Sequence, residues 1–189
     1  MSLLQKVHKP IKIVLKAMVG NEEKVILRML TKAVSYIDYY FIQCNGDDKT
    51  QSIIEKWGID NQIPGKCYKQ KWNWPGWNRN DLTKKCLSHN HGCDYILRLD
   101  ADEILEIDND FDWNIILTKD SWSISTGKKT DSLTYLRNWL WKASLSFSYD
   151  EFNKRHEMLT ITSSSYTTGI LPDSFIIRPG GGGNTWEDP

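Results

Sequence analysis

The chain has 189 residues, with Lys+Arg and Asp+Glu both at 24, so its formal net charge is zero. That length suits one domain with a real core, and the balanced charge gives no reason to expect a nucleic acid or an anionic membrane as partner. No apolar run approaches the roughly 20 residues that span a bilayer, and "MSLLQKVHKPIKIVLK" lacks the long uncharged stretch and small-residue cleavage site of a signal peptide.

"IKIVLKAMV" (11–19) is rich in branched apolar residues and reads as a buried strand. In "GNEEKVILRMLTKAV", Asn21 is placed to cap a helix with Glu22 and Glu23 in its first turn, and Val25, Ile26, Met29, Leu30 and Ala33 form one apolar face. "YIDYYFIQC" predicts a second strand, "NGDDKT" a turn and "TQSIIEKW" a short helix. "GKCYKQKW" predicts a third strand. "NWPGW" reads as a loop broken by Pro75 and Gly76, "NRNDLTKKCLSHN" as a third helix and "CDYILRLD" as a fourth strand.

The first hundred or so residues therefore alternate strand and helix, which argues for a mostly parallel, Rossmann-like sheet with helices on both faces. After about residue 105 the character changes. "SWSISTG", "LTYLRNWLWKASL", "HEMLTIT" and "SFIIRP" are short and β-prone, as in an added β-rich half. The expectation is one domain over 1–189, with a first half at about 10–105 and a second at about 106–189. The ending "NTWEDP" resembles a helix start, as in a piece of a longer protein. Cys44, Cys67, Cys86 and Cys93 form no C-x-x-C pair and read as reduced thiols of a cytoplasmic protein.

In "DYILRLDADEIL" an apolar strand runs into Asp100, Asp102 and Glu103. Crowded carboxylates raise one another's pKa unless something positive joins them. On an extended backbone residues i and i+2 point the same way, so Asp100 and Asp102 would face one point beyond the strand end. Oxygen ligands of this kind suit Mg²⁺ or Mn²⁺, which keep open positions for water or phosphate. Glu103 would face away, to cap or orient. The plain alternative is a solvated acidic turn.

With these pieces in order, the chain resembles the family 2 glycosyltransferases of the GT-A fold, in the bacterial and viral branch with "NEE" after the first strand and "DADE" after the fourth. The matching stretches are "MVGNEEKVILRML", "NGDDKTQSII", "WNWPGWNRNDL", "YILRLDADEIL", "RHEML" and "RPGGGG". The resemblance implies a nucleotide-sugar donor, a glycan or other hydroxyl acceptor, and inversion at the anomeric carbon. It makes Asp102 the main metal ligand, with Asp100 near the metal or the ribose. Asn21 and Glu22 would lie beside the nucleotide, and Asn45 to Asp48, Asp47 included, would cup base and ribose. Gln43 replaces the Asp usual in the family. Arg79 would face the nucleotide, and Arg178 stands where relatives carry a His that completes the metal shell. Glu157, in "RHEML", would be the base that takes the acceptor proton, with Asp150 and Glu151 as substitutes. The implied location is the cytoplasm, the host's in the viral case.

Other constellations carry less. Cys86, His89, His91 and Cys93 lack the spacing of usual zinc sites. "NGDDKT" lacks the length and final Glu of a calcium loop. The Trp residues of "WNWPGWN" suit either a sugar-stacking platform or a packed loop. "GGGG" lacks the G-x-G-x-x-G spacing of a dinucleotide fingerprint. Two rival readings stand beside the transferase: a metal-dependent nucleotidyltransferase on a similar sheet, and a non-catalytic carbohydrate-binding module.

Overall fold

Branched apolar residues need cover on both sides, and the first strand receives it. In the computed structural model, which describes residues 6–89, 92–127, 135–151 and 159–180, β1 (Ile13–Val19) is buried along nearly its whole length. It lies between β2 (Tyr39–Cys44) and β4 (Tyr95–Arg98), parallel to both. β3 (Gly65–Lys69) pairs in parallel with β2 and forms one edge. The helices α1 (Ile26–Ala33) and α2 (Thr50–Asp60) cover one face, and α3 (Pro75–Ser88) covers the other.

Alternation sorts the residues of β1. Ile13, Leu15, Ala17 and Val19 pack under α1 and α2, while Val14 faces α3. Lys16 shares that second face, an unusual place for an amine.

Two helix starts differ from expectation. Asn21 does not cap α1, which begins at Ile26 without a side-chain cap. Its Oδ1 instead accepts from the backbone N–H groups of Asp47 and Asp48. Pro75 does not break a loop; it occupies the first turn of α3, where a missing N–H costs nothing.

The second half is β-rich. β6 (Ser121–Thr126) and β7 (Tyr135–Lys142) pair antiparallel, and β7 joins the sheet beside β4. β11 (Phe175–Pro179) runs parallel to β6 and antiparallel to β5 (Glu103–Ile107). β10 (Thr168–Ile170) also pairs with β6. The path across the sheet is β3-β2-β1-β4-β7-β6-β11-β5. β8 (Phe147–Tyr149) and β9 (Leu159–Ile161) form a separate two-stranded ribbon. A 3₁₀ turn over Trp113–Thr118 links β5 to β6.

The β6–β7 ladder slips by one residue between Trp122 and Ser123, which pair with Leu140 and Asn138 and leave Trp139 as the extra residue. Such a bulge re-aims a side chain. All four cysteines are free thiols. Among the described residues no helix is long and apolar enough to cross a membrane.

Candidate active site

In a sheet of this kind ligands bind beyond the carboxyl ends of the strands. β4 ends there at Arg98, and Leu99 to Asp102 turn the chain into β5. The turn is tight: the Glu103 N–H donates to the Asp100 carbonyl at 3.0 Å. The segment is thus not an extended strand, and strand alternation does not align Asp100 with Asp102. Glu103 caps the turn, its Oε2 accepting from the Asp100 N–H at 2.8 Å. Burial, then repulsion from Asp100, pushes the Glu103 carboxyl up to about 8.

The two aspartates live in different company. Asp100 Oδ1 lies 3.4 Å from Arg79 Nη2 of α3, and Asp100 Oδ2 lies 3.2 Å from Arg98 Nη2. Burial alone would raise the Asp100 carboxyl, but the two guanidiniums outweigh it and hold the group below its ordinary range. Asp102 is half-buried, and its carboxylate has no hydrogen bond or ion pair to any described residue. Its backbone carbonyl accepts from the Gly180 N–H, just past β11. A Cβ at Gly180 would collide with that carbonyl and with the guanidinium of Arg28 from α1. Glycine is therefore what lets β11 close on the acidic turn.

Sequence reasoning missed the residues that support Arg79 and Asp100. The Arg98 guanidinium lies 4.3 Å from the centroid of the Trp139 ring, the residue re-aimed by the bulge. Arg79 and Arg98 each lie 5.9 Å from the Tyr149 ring of β8. Lys16 is beside Arg98 in the β1–β4 register and is 1% exposed. Its Nζ donates to Thr83 Oγ1 of α3 at 2.7 Å and to Tyr149 Oη at 3.5 Å. The rings of Trp141, Phe147 and Tyr149 surround it at 5.0, 5.2 and 5.1 Å. Burial pushes this amine well below the usual lysine range, and the neighbouring arginines add to the effect. The available signal was a charge inside each of two apolar runs, "IVLKAMV" and "YILRLD".

The expected nucleotide-side residues gather around the ends of β1 and β2. Gln43 is fully buried; its Oε1 accepts from Tyr68 Oη at 3.0 Å and its Nε2 donates to Asn45 Oδ1 at 3.2 Å. Asn45 Nδ2 donates to the Gln70 carbonyl at 2.8 Å. The Glu22 N–H donates to Thr50 Oγ1, tying the loop after β1 to the start of α2. Asp47 is exposed and pairs with Lys69 at 3.0 Å. Asp48 accepts from the N–H groups of Thr50 and Glu23, and these bonds overcome the effect of burial and lower its pKa.

On the far side, Arg178 of β11 pairs with Glu106 of the neighbouring β5, which raises the arginine's pKa further. Glu157, His91 and the glycines after Gly180 lie outside the described residues. Of the substitutes for Glu157, Glu151 Oε1 accepts from Asn80 Nδ2 at 2.9 Å, and the Asp150 carbonyl lies against Gly76. Trp74 is exposed at the start of α3, where Trp72 and Trp77 are half-buried. His89 Nδ1 is within hydrogen-bond distance of Ser88 Oγ and the Lys85 carbonyl.

Among the described residues no group of three His, Cys, Asp or Glu side chains is gathered in metal-binding array. The donor set still fits a hard divalent ion of one kind. Mg²⁺ and Mn²⁺ are commonly held by one or two carboxylates, with phosphate and water completing the shell. Asp102 offers such a carboxylate; Asp100 is already engaged by two cations.

Solved structures share this architecture. S. aureus TarS matches with a TM-score of 0.60 at 15% identity, over 85% of this chain and 37% of that one. TarS 1–349 matches with a TM-score of 0.61 at 15% identity, over 89% of this chain and 60% of that one. The same fragment in complex with UDP gives a TM-score of 0.58 at 15% identity, over 85% and 60%. The fold is GT-A-like. The chain spans 37% to 60% of the length of these proteins. No known family's profile matches it, and no curated protein does.

Proposed function

We propose that this chain is a glycosyltransferase, moving a sugar from a nucleotide-diphosphate sugar to an acceptor hydroxyl. The observation that carries the reading is the meeting of Arg79, Arg98 and Asp100 at the carboxyl edge of a GT-A-like sheet, beside an uncommitted Asp102 carboxylate. That edge is where such a sheet takes its ligand. A TarS fragment of the same fold has been solved with UDP, which supports a nucleoside diphosphate here.

In this reading the loop from Asn45 to Asp48, with Asn21, Glu22 and Gln43, forms the base and ribose side. Arg79 faces the diphosphate, held in place by Asp100. Asp102 holds Mn²⁺ or Mg²⁺; the ion, when bound, would offset the charge that develops on the departing diphosphate. Glu157 takes the proton of the acceptor hydroxyl, with inversion at the anomeric carbon. Arg178 contributes to the field of the site from its pair with Glu106.

A thermal-shift screen of UDP-, GDP- and dTDP-sugars, with and without Mn²⁺, tests the reading. A ligand at 100 times its Kd should add roughly 2.7 kcal/mol of stability. Stabilisation by one donor class, dependent on metal and lost in Asp102→Asn, is the expected result. No shift with any donor would end the transferase reading. Replacement of Glu157 by Gln with normal turnover would remove that residue as base.

A further inference from the structure

A buried ammonium is costly unless something nearby replaces its water. Lys16 makes no ion pair with any described residue. What replaces water is the Thr83 hydroxyl, the Tyr149 hydroxyl and the faces of three rings. The Thr83 hydroxyl already donates to the Arg79 carbonyl at 2.7 Å. Toward Lys16 it can therefore only accept, so the amine must be the donor. The negative faces of the rings favour the cation in the same place.

The partners of Lys16 belong to different parts of the fold. Lys16 is on β1, at the centre of the donor-side sheet. Thr83 is on α3. Phe147 and Tyr149 are on β8, in the small ribbon that, among the described residues, pairs with no strand of the main sheet. Other contacts also hold β8: Phe147 packs edge-on against Trp141, and Arg79 and Arg98 lie near the Tyr149 ring. Asn80 grips the Tyr149 backbone at both ends, accepting from its N–H at 2.7 Å and donating to its carbonyl at 2.9 Å. Residues 150 and 151 follow directly, and the chain then runs on toward Glu157.

We infer that Lys16 is a positioning residue: its amine latches the β8–β9 ribbon to the donor-side sheet and so sets where the acceptor-side segment after Tyr149 begins. The inference rests on the transferase reading only for what the latch serves. The latch itself is a property of the fold. A Met at position 16 would fill a similar volume, but it would donate to neither Thr83 nor Tyr149. The ribbon would keep Asn80 and its ring contacts but lose its one hydrogen-bonded tie to β1 among the described residues.

Amide hydrogen exchange of the full chain, read without any substrate, tests the latch. In Lys16→Met the amides of residues 147–149 and 159–161 should exchange at least tenfold faster, while those of β1, β2 and β4 stay within about twofold. Thr83→Val removes the acceptor and leaves the amine, and it should loosen the same ribbon; the double variant should add little to Lys16→Met, since both changes break one contact. The nucleoside diphosphate found by the donor screen should bind both single variants within about threefold of the parent, while kcat for transfer falls at least tenfold. Ribbon exchange at parental rates in both variants overturns the latch. A loosened ribbon with unchanged kcat overturns its positioning role. A parent that transfers from no donor sinks the transferase reading, and the exchange data still decide the latch.

Discussion

The Arg98 guanidinium lies over the Trp139 ring, 4.3 Å from its centroid, and also reaches the Asp100 carboxylate. A bulge supplies the platform, the platform fixes the arginine, and the arginine holds the acid. Trp139→Phe keeps an aromatic face but shrinks it. It should cost about 1–3 kcal/mol in urea denaturation, as expected for lost volume in a closed core. It should also weaken donor binding, because Arg98 loses its support.

The two aspartates of the turn should separate cleanly under mutation. Asp100→Asn removes the charge of a carboxylate that two guanidiniums contact and should cost on the order of 1–3 kcal/mol of stability. Asp102→Asn breaks no bond to a described residue, so it should change stability by no more than about 0.5 kcal/mol. It should nonetheless remove metal-dependent donor binding. Equal stability losses in the two variants would contradict this division of labour.

Glu103 gives the protein a pH signature. Folding raises its carboxyl from the ordinary 4.5 to about 8, so the folded chain binds this proton more tightly than the unfolded chain. The stabilisation is fully present below the unfolded value and is lost as the pH rises through about 8. The slope in between is at most about 1.4 kcal/mol per pH unit. Glu103→Gln keeps an oxygen for the Asp100 N–H and has no proton to lose. Its stability, measured by denaturation from about pH 5 to 8.5, should therefore gain on the parent's as the pH rises.

Gly76 sits where the first turn of α3 meets the Asp150 backbone, and an added Cβ would fall on the Asp150 carbonyl. Gly76→Ala should force the two apart and cost about 1–3 kcal/mol, the usual range for overpacking. Amide exchange should rise at residues 147–151 before it rises in β1 or β2.

Much of this was legible in the sequence because parallel strands buried on both faces read as continuous apolar runs. "IKIVLKAMV", "YIDYYFIQC" and "CDYILRLD" gave three central strands, and the helices between them required parallel pairing. The resemblance named Arg79 and Asp100 separately as donor-side residues, but not their pairing with one another. What stayed hidden depends on contacts between distant residues. Nothing local in "LRNWLWK" marks Trp139 as the bulged residue. Asn21 looked like a helix cap because its neighbours Glu22 and Glu23 suit a first turn; the competing Asp47 and Asp48 N–H groups lie more than 20 residues away. Lys16 and Arg98 are charges inside strands read only as apolar runs, and their surroundings are visible only once the rings of β7 and β8 are in place.

The sheet path has a consequence for the order of assembly. β4 and β5 are joined by one tight turn, yet β7, β6 and β11 stand between them in the sheet. The β6–β7 pair is local in sequence and can form early, whereas β5 finds its partner only when β11 arrives. On a ribosome, where the N-terminal part folds first, the strands around β1 would be ready long before the acidic turn is closed. That turn is completed by the Gly180 N–H on Asp102. A nascent chain would therefore carry a folded first half and an open acidic turn until β11 has been made, so the edge proposed to take the donor is finished only when nearly all of the described fold exists.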